Sequence, residues 1–137
     1  MTTPSAPRTP PLHQPLQLLR LSLVAVWLWT ASASLLQWQG ESTALLQAGG
    51  IDAPSTQAWL IAGGAALDLL LGLWLLCRPG RNAYATALVA MLVMTVAATA
   101  LLPALWLHPL GPLSKNLPIA AALWLLWQSD TRAMESR

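Results

Sequence analysis

The sequence predicts an all-α integral membrane protein, a four-transmembrane-helix bundle with a re-entrant proline-rich segment before helix 4. Three observations carry that expectation. Asp, Glu, Lys and Arg make up only 9% of the 137 residues while 55% are apolar, against about 25% charged residues in ordinary soluble domains. So few charges cannot cover the surface of a small soluble globule. Uncharged stretches also recur at the length a helix needs to cross the hydrocarbon core, roughly 20 residues. Finally, eight Trp accompany one Tyr and no Phe, an aromatic usage suited to membrane interfaces. The same composition excludes wholesale disorder, and seven scattered Lys and Arg make no nucleic-acid patch.

Taken in order, residues 1–15 contain five prolines and read as a disordered cytoplasmic tail. Residues 16–129 form the membrane domain, and 130–137 a cytoplasmic C-terminal tail. The first crossing is the charge-free run Leu21–Gly40, about 30 Å of helix. Ala31-Ser32-Ala33 has the form of a signal-peptide cleavage site. The twenty-residue flank before the run and the apolar continuation through Leu36 favour an uncleaved crossing. In the outer loop Gln37–Gln57, Ser42-Thr43 can cap a short interfacial helix that Gly49-Gly50 ends. The second crossing, Ala58–Cys77, is interrupted by one charge, Asp68. Pro79-Gly80 punctuates a tight inner turn over Cys77–Arg81. The third crossing lies in Asn82–Leu107, of which Ala83–Leu102 suffices before Pro103. The fourth, Asn116–Ser129, has only fourteen uncharged residues, about 21 Å of helix and some 9 Å short of a full span.

Basic residues set the orientation. With both termini inside, the cytoplasmic side holds Arg8, Arg20, Arg78, Arg81, Arg132 and Arg137, and the opposite side only Lys115, with Glu41 and Asp52. Trp38, Trp59 and Trp106 then form an outer aromatic belt, and Trp74, Tyr84 and Trp127 an inner one. Trp27 and Trp29 lie deeper, as packing residues.

Asp68 is the most informative side chain. It lies ten positions into the second run, about 15 Å below the outer surface, where a carboxylate needs a partner inside the bundle. Gly64, Asp68 and Gly72 recur on one helical face, and the glycines let a neighbouring helix approach. Asp68 is then either a proton or ligand site or one half of a buried ion pair that fixes packing. The fourth helix's shortfall places Lys115 about 9 Å below the outer surface, roughly 6 Å above the acid, close enough for a lysine stem to bridge. Pro109, Pro112 and Pro118 with Gly111 forbid a continuous helix there and permit a turn, so Trp106–Lys115 reads as re-entrant. Ser114 and Asn116 can satisfy the freed backbone groups. The alternative is an ordinary outer loop before a short, tilted helix.

Arg20 is the rival counter-ion, or else a snorkelling anchor at the first helix's inner end. His108 has no second ligand nearby, so no metal site is expected. Cys77 stands alone and supports no redox pair. Ser, Thr and His show no nucleophile–base arrangement, and no catalytic residue is assigned. Ala83, Ala87, Ala90, Met94 and Ala97 make a small-residue stripe, a helix–helix contact face.

The segment Leu67-Asp68-Leu69-Leu70-Leu71-Gly72, followed by His108-Pro109-Leu110-Gly111-Pro112-Leu113-Ser114-Lys115-Asn116-Leu117-Pro118, resembles the DoxX-like family of small four-helix membrane proteins. The resemblance extends over about Leu18–Gln128, and the downstream motif carries most of its specificity. It implies a four-helix bundle in the bacterial cytoplasmic (inner) membrane. Its namesakes are small subunits associated with thiosulfate–quinone oxidoreduction, and some related segments are fused to nucleotide-sugar epimerase-like domains. More distant relatives handle disulfide chemistry through cysteine pairs, which does not carry over to a chain with Cys77 alone.

Three functions follow as expectations, in this order. The first is a non-catalytic subunit, anchor or assembly factor for a redox-enzyme partner. The second is a quinone-linked oxidoreductase component using Asp68 and Lys115. The third is a small transporter or proton conduit coupled through Asp68. The expected surroundings are the lipid bilayer and no nucleic acid. Quinone is the one ligand the resemblance brings into view, and homo-oligomerisation is left open.

Overall fold

The fold was obtained as a computed structural model that describes residues 13–37, 40–107 and 113–135. The proline-rich residues 1–12, Trp38, and the Pro109, Gly111 and Pro112 of the expected re-entrant motif lie outside the described residues. The architecture is all-helical: α1 (His13–Leu36), α2 (Glu41–Ala48), α3 (Pro54–Cys77), α4 (Arg81–Leu101), a 3₁₀ turn (Pro103–Trp106) and α5 (Asn116–Glu135). By length and composition α1, α3 and α4 are able to cross a membrane.

Several boundaries differ from those read in the sequence, each for a local reason. α1 starts at His13, inside the expected tail. Pro15 falls in its first turn, where the missing N–H has no intrahelical partner to lose. α2 occupies the expected interfacial position, but its N-cap is Gly40, with no side-chain cap bond; Ser42 and Thr43 sit within its first turn. At its far end Gly50 adopts φ 80°, the left-handed conformation that glycine takes without strain. The Ile51 N–H then returns to the Leu46 carbonyl at 2.9 Å.

α3 begins at Pro54, a proline at the first helical position behind an extended Ala53. It therefore takes in Gln57, the expected end of the loop. Gln57 is buried, and its Nε2 donates to the Ile51 carbonyl at 2.6 Å, fastening the loop onto the helix start. α5 starts at Asn116 as expected but continues through Glu135, so Asp130, read as tail, is helical.

The helices assemble as two antiparallel pairs. α1 packs along α3 and α4 along α5, while few contacts join one pair to the other. Gly72 makes the first pairing possible: a Cβ there would lie 3.0 Å from Leu28 Cδ2 and 3.2 Å from Trp27 Cβ. Gly64 is open by comparison, its nearest neighbour being Met94 Cε at 3.9 Å.

The second pair is pinned at two levels. Asn116 Nδ2 donates to Thr95 Oγ1 at 2.8 Å, and the Arg81 backbone N–H donates to Asp130 Oδ2 at 2.7 Å. These cross-links stand fourteen residues apart on each helix, so α4 and α5 run in register. Asp130 thus caps the α4 N-terminus from another helix, at the positive end of its dipole. Asp130→Ala is expected to lower thermal stability in detergent by about 1 kcal/mol, the usual loss for a helix cap, with Asp130→Asn losing less. Equal stability of all three proteins would show that the contact holds nothing together.

Toward the α2 end the pairs meet sparsely, at Gly64 with Met94 and at Gly49 with Leu101, and their shared buried core lies toward the end that carries the Cys77–Arg81 turn. There Leu23, Val24 and Trp27 of α1 meet Leu71 and Leu75 of α3, Ala83, Tyr84 and Ala87 of α4, and Leu123 and Leu126 of α5. No α4 residue beyond Met91 is buried. The small-residue stripe follows this division: Ala83 and Ala87 are buried, while Met94 and Ala97 are exposed. Two aromatic expectations change as well. Tyr84 is buried among the helices, and Trp29 is 76% exposed while Trp27 is in the core. Residues 27 and 29 lie on different faces of one helix, so a shared depth gives them different surroundings.

Candidate functional site

Where the pairs diverge lies a half-open cavity of about 980 Å³ that reaches all four long helices. Its walls are apolar, with Trp27 from α1, Leu71 from α3, Met91 from α4 and Ile119 from α5. Four polar side chains border it: Thr30, Asp68, Lys115 and Asn116.

Their levels follow from the packing. Asp68 lies fourteen residues into the 24-residue α3, well inside it, and is half-buried. Met94 faces Gly64, one turn or about 6 Å from Asp68 toward the α2 end. Thr95, next along α4, holds Asn116. Asn116 and the adjacent Lys115 border the same cavity as the acid. Thr95 is also six residues short of the end of α4, so α5 begins about 9 Å below that end.

A ladder of threonines sustains this junction. Thr95 Oγ1 donates to the Met91 carbonyl at 2.8 Å, and Thr99 Oγ1 to the Thr95 carbonyl at 2.7 Å. The Trp106 indole N–H donates to Thr99 Oγ1 at 3.0 Å, bringing the 3₁₀ turn onto the same helix face. Pro118 falls in the first turn of α5 and also borders the cavity, so it starts a helix there instead of breaking one.

The structure brings Asp68, Lys115 and Asn116 to one cavity, but no salt bridge joins Asp68 to Lys115 among the described residues, and Lys115 is exposed. Asp68 likewise has no hydrogen bond among the described residues. Stability losses from Asp68→Leu and Lys115→Met should therefore add in the double mutant to within about 0.5 kcal/mol. Recovery of stability in the double mutant would show that the two charges neutralise each other after all.

Arg20 is not brought to this site. It borders a separate pocket at the other end of the bundle, with Tyr84 and Asp130. Among the described residues no group of His, Cys, Asp and Glu is arranged to hold a metal ion, and Cys77 is exposed.

The sequence points to the acid, the lysine and the asparagine but not to Thr95, the side chain that positions α5. A signal for it was present, since Thr95 and Thr99 stand one turn apart in an otherwise apolar helix. Asp130 carries no comparable signal, because its partner is a backbone N–H that only the α4–α5 register brings near.

The sequence profile of the DoxX-like family matches residues 24–124. The chain belongs to the DoxX-like family. The match takes in the whole cavity lining, from Ala25 through Ile119. It stops short of Arg20 at one end and Asp130 at the other. No curated protein and no solved structure matches this DoxX-like chain.

Proposed function

We propose that this DoxX-like protein crosses the bacterial cytoplasmic membrane four times with both termini inside, and serves as a quinone-binding subunit of a redox assembly. α5 is the fourth crossing. The six-to-one distribution of Lys and Arg sets its orientation, and the recessed start of α5 accounts for its short apolar run. The segment before α5 dips into the membrane to reach that start.

One observation carries the ligand reading: an apolar cavity in the outer half of the bundle, with a carboxyl, an ammonium and a carboxamide inside it. Small-molecule sites typically occupy about 300–1,000 Å³, with apolar walls and a few placed polar groups. A quinone head has that character, a flat apolar ring with two carbonyl acceptors and an isoprenoid tail. Trp27, Met91 and Ile119 supply the walls. Lys115 and the second Asn116 Nδ2 hydrogen supply donors for the carbonyls, and Asp68 an acceptor for a quinol hydroxyl. When bound, quinone supplies two-electron redox chemistry, and the chain itself contributes binding and orientation. The electrons are exchanged with a partner subunit.

Solvent extraction of protein purified in mild detergent tests this reading. Close to one quinone per chain is expected in the wild type, and much less in Asp68→Leu. Failure of the wild type to retain quinone or to bind it on addition would end it. Reporter fusions at the C-terminus and in α2 should report opposite sides of the membrane; fusions on one side would remove the fourth crossing.

A further inference from the structure

At the Pro79 end a second pocket, of about 270 Å³, lies where α1, α4 and α5 converge. The quinone reading gives it no task. Arg20 enters it with His13 and Gln17 from α1, Tyr84 from α4, and Ser129 and Asp130 from α5. The Arg20 Nε is buried with no hydrogen-bond partner among the described residues. Tyr84 lines the same pocket, and its hydroxyl has a proton to donate.

Asp130 is the evident counter-ion, yet no salt bridge joins it to Arg20 among the described residues. Its Oδ2 is instead engaged by the Arg81 N–H at the start of α4, where the helix dipole favours a negative charge. Arg81 stands at this end too, its guanidinium 5.2 Å from the centre of the Trp127 ring. The acid is therefore already held from the α4 side, and the α1 side presents a planar cation with an unused buried donor.

We infer that this pocket binds a phosphate group, held by the Arg20 guanidinium and the Tyr84 hydroxyl. A guanidinium fork matches adjacent anionic oxygens in a bidentate geometry. Phosphate adds further oxygens for Tyr84 and for one of Gln17, His13 or Ser129, whereas a carboxylate has only two in all. The group has two sources, an anionic phospholipid headgroup in the adjacent leaflet or a soluble phosphate. The lipid source rests on the reading that this end lies at the cytoplasmic interface, where basic pockets between helices take lipid headgroups.

The test is thermal unfolding of the full chain, delipidated in a neutral detergent, titrated separately with phosphatidylglycerol, diacylglycerol and inorganic phosphate. Phosphatidylglycerol or inorganic phosphate should raise the wild-type midpoint by several degrees and diacylglycerol should not; which of the two acts identifies the source. Arg20→Gln should weaken the effect at least tenfold in ligand concentration, and Arg78→Gln, at an exposed position outside the pocket, should keep it. If Arg20→Gln does not fold, Tyr84→Phe serves in its place and should weaken the effect several-fold. The inference is overturned if neither phosphate compound shifts the wild type, if diacylglycerol shifts it equally, or if the pocket variant that folds responds like wild type. Quinone content measured on the same samples separates this outcome from failure of the cavity reading.

Discussion

Gly72→Ala is expected to lower the unfolding free energy in detergent by about 1–3 kcal/mol, the range for over-packing a close contact. The added Cβ would stand 3.0–3.2 Å from Leu28 and Trp27 atoms of α1. Leu28 has a side chain that can turn aside. Trp27 Cβ is fixed to the backbone, so the whole of α1 has to move. Gly64→Ala provides the contrast, since its new methyl would meet only the tip of Met94 at 3.9 Å. There the better helix propensity of alanine should stabilise the protein by about 0.5–1 kcal/mol. Tryptophan fluorescence during thermal unfolding reads both changes. Equal effects at the two glycines would mean that α1 and α3 do not approach at Gly72.

Asp68→Leu is expected to weaken quinone binding by at least about tenfold, since a hydrogen bond to a charged group contributes on the order of 1.5–3 kcal/mol. The variant should still fold, because Asp68 holds nothing in place among the described residues and leucine suits apolar walls. Binding of a fluorescent quinone analogue, measured by titration, checks both points. Unchanged affinity in a folded variant would remove the acid from the site. Loss of folding would instead make Asp68 structural, the alternative that its depth alone had left open.

The contrast between Gly64 and Gly72 shows where the sequence stops informing the fold. Both glycines stand one turn from Asp68, on its helical face. Spacing does not say how far a partner helix follows it. α1 is close at Gly72, whereas at Gly64 the neighbour across the face is a flexible methionine tip. The alanine stripe of α4 behaves alike, buried through Ala87 and open at Met94 and Ala97. Helix starts were legible where a proline or polar residue ends an apolar run, as at Asn116 and in the turn before Arg81. The cavity was not, because it arises from the divergence of two pairs and is lined by residues that individually look like ordinary membrane-helix side chains.

The recessed start of α5 joins both kinds of information. The fourteen uncharged residues that follow it imply a shortfall of about 9 Å. The Asn116–Thr95 bond independently places the helix start about 9 Å inside the end of α4. Lys115, next to that bond, borders the same cavity as Asp68, while the expected ion pair between them does not form among the described residues.

Photolabelling with a reactive quinone analogue, followed by peptide mapping, tests the central claim most directly. Labels should fall within residues 27–30, 90–94 and 115–119, the stretches that border the cavity on α1, α4 and α5. They should be suppressed by excess unlabelled quinone and much reduced in Asp68→Leu. Labelling spread evenly over the lipid-facing residues, or concentrated at the Pro79 end, would contradict the assignment of this cavity as the quinone site.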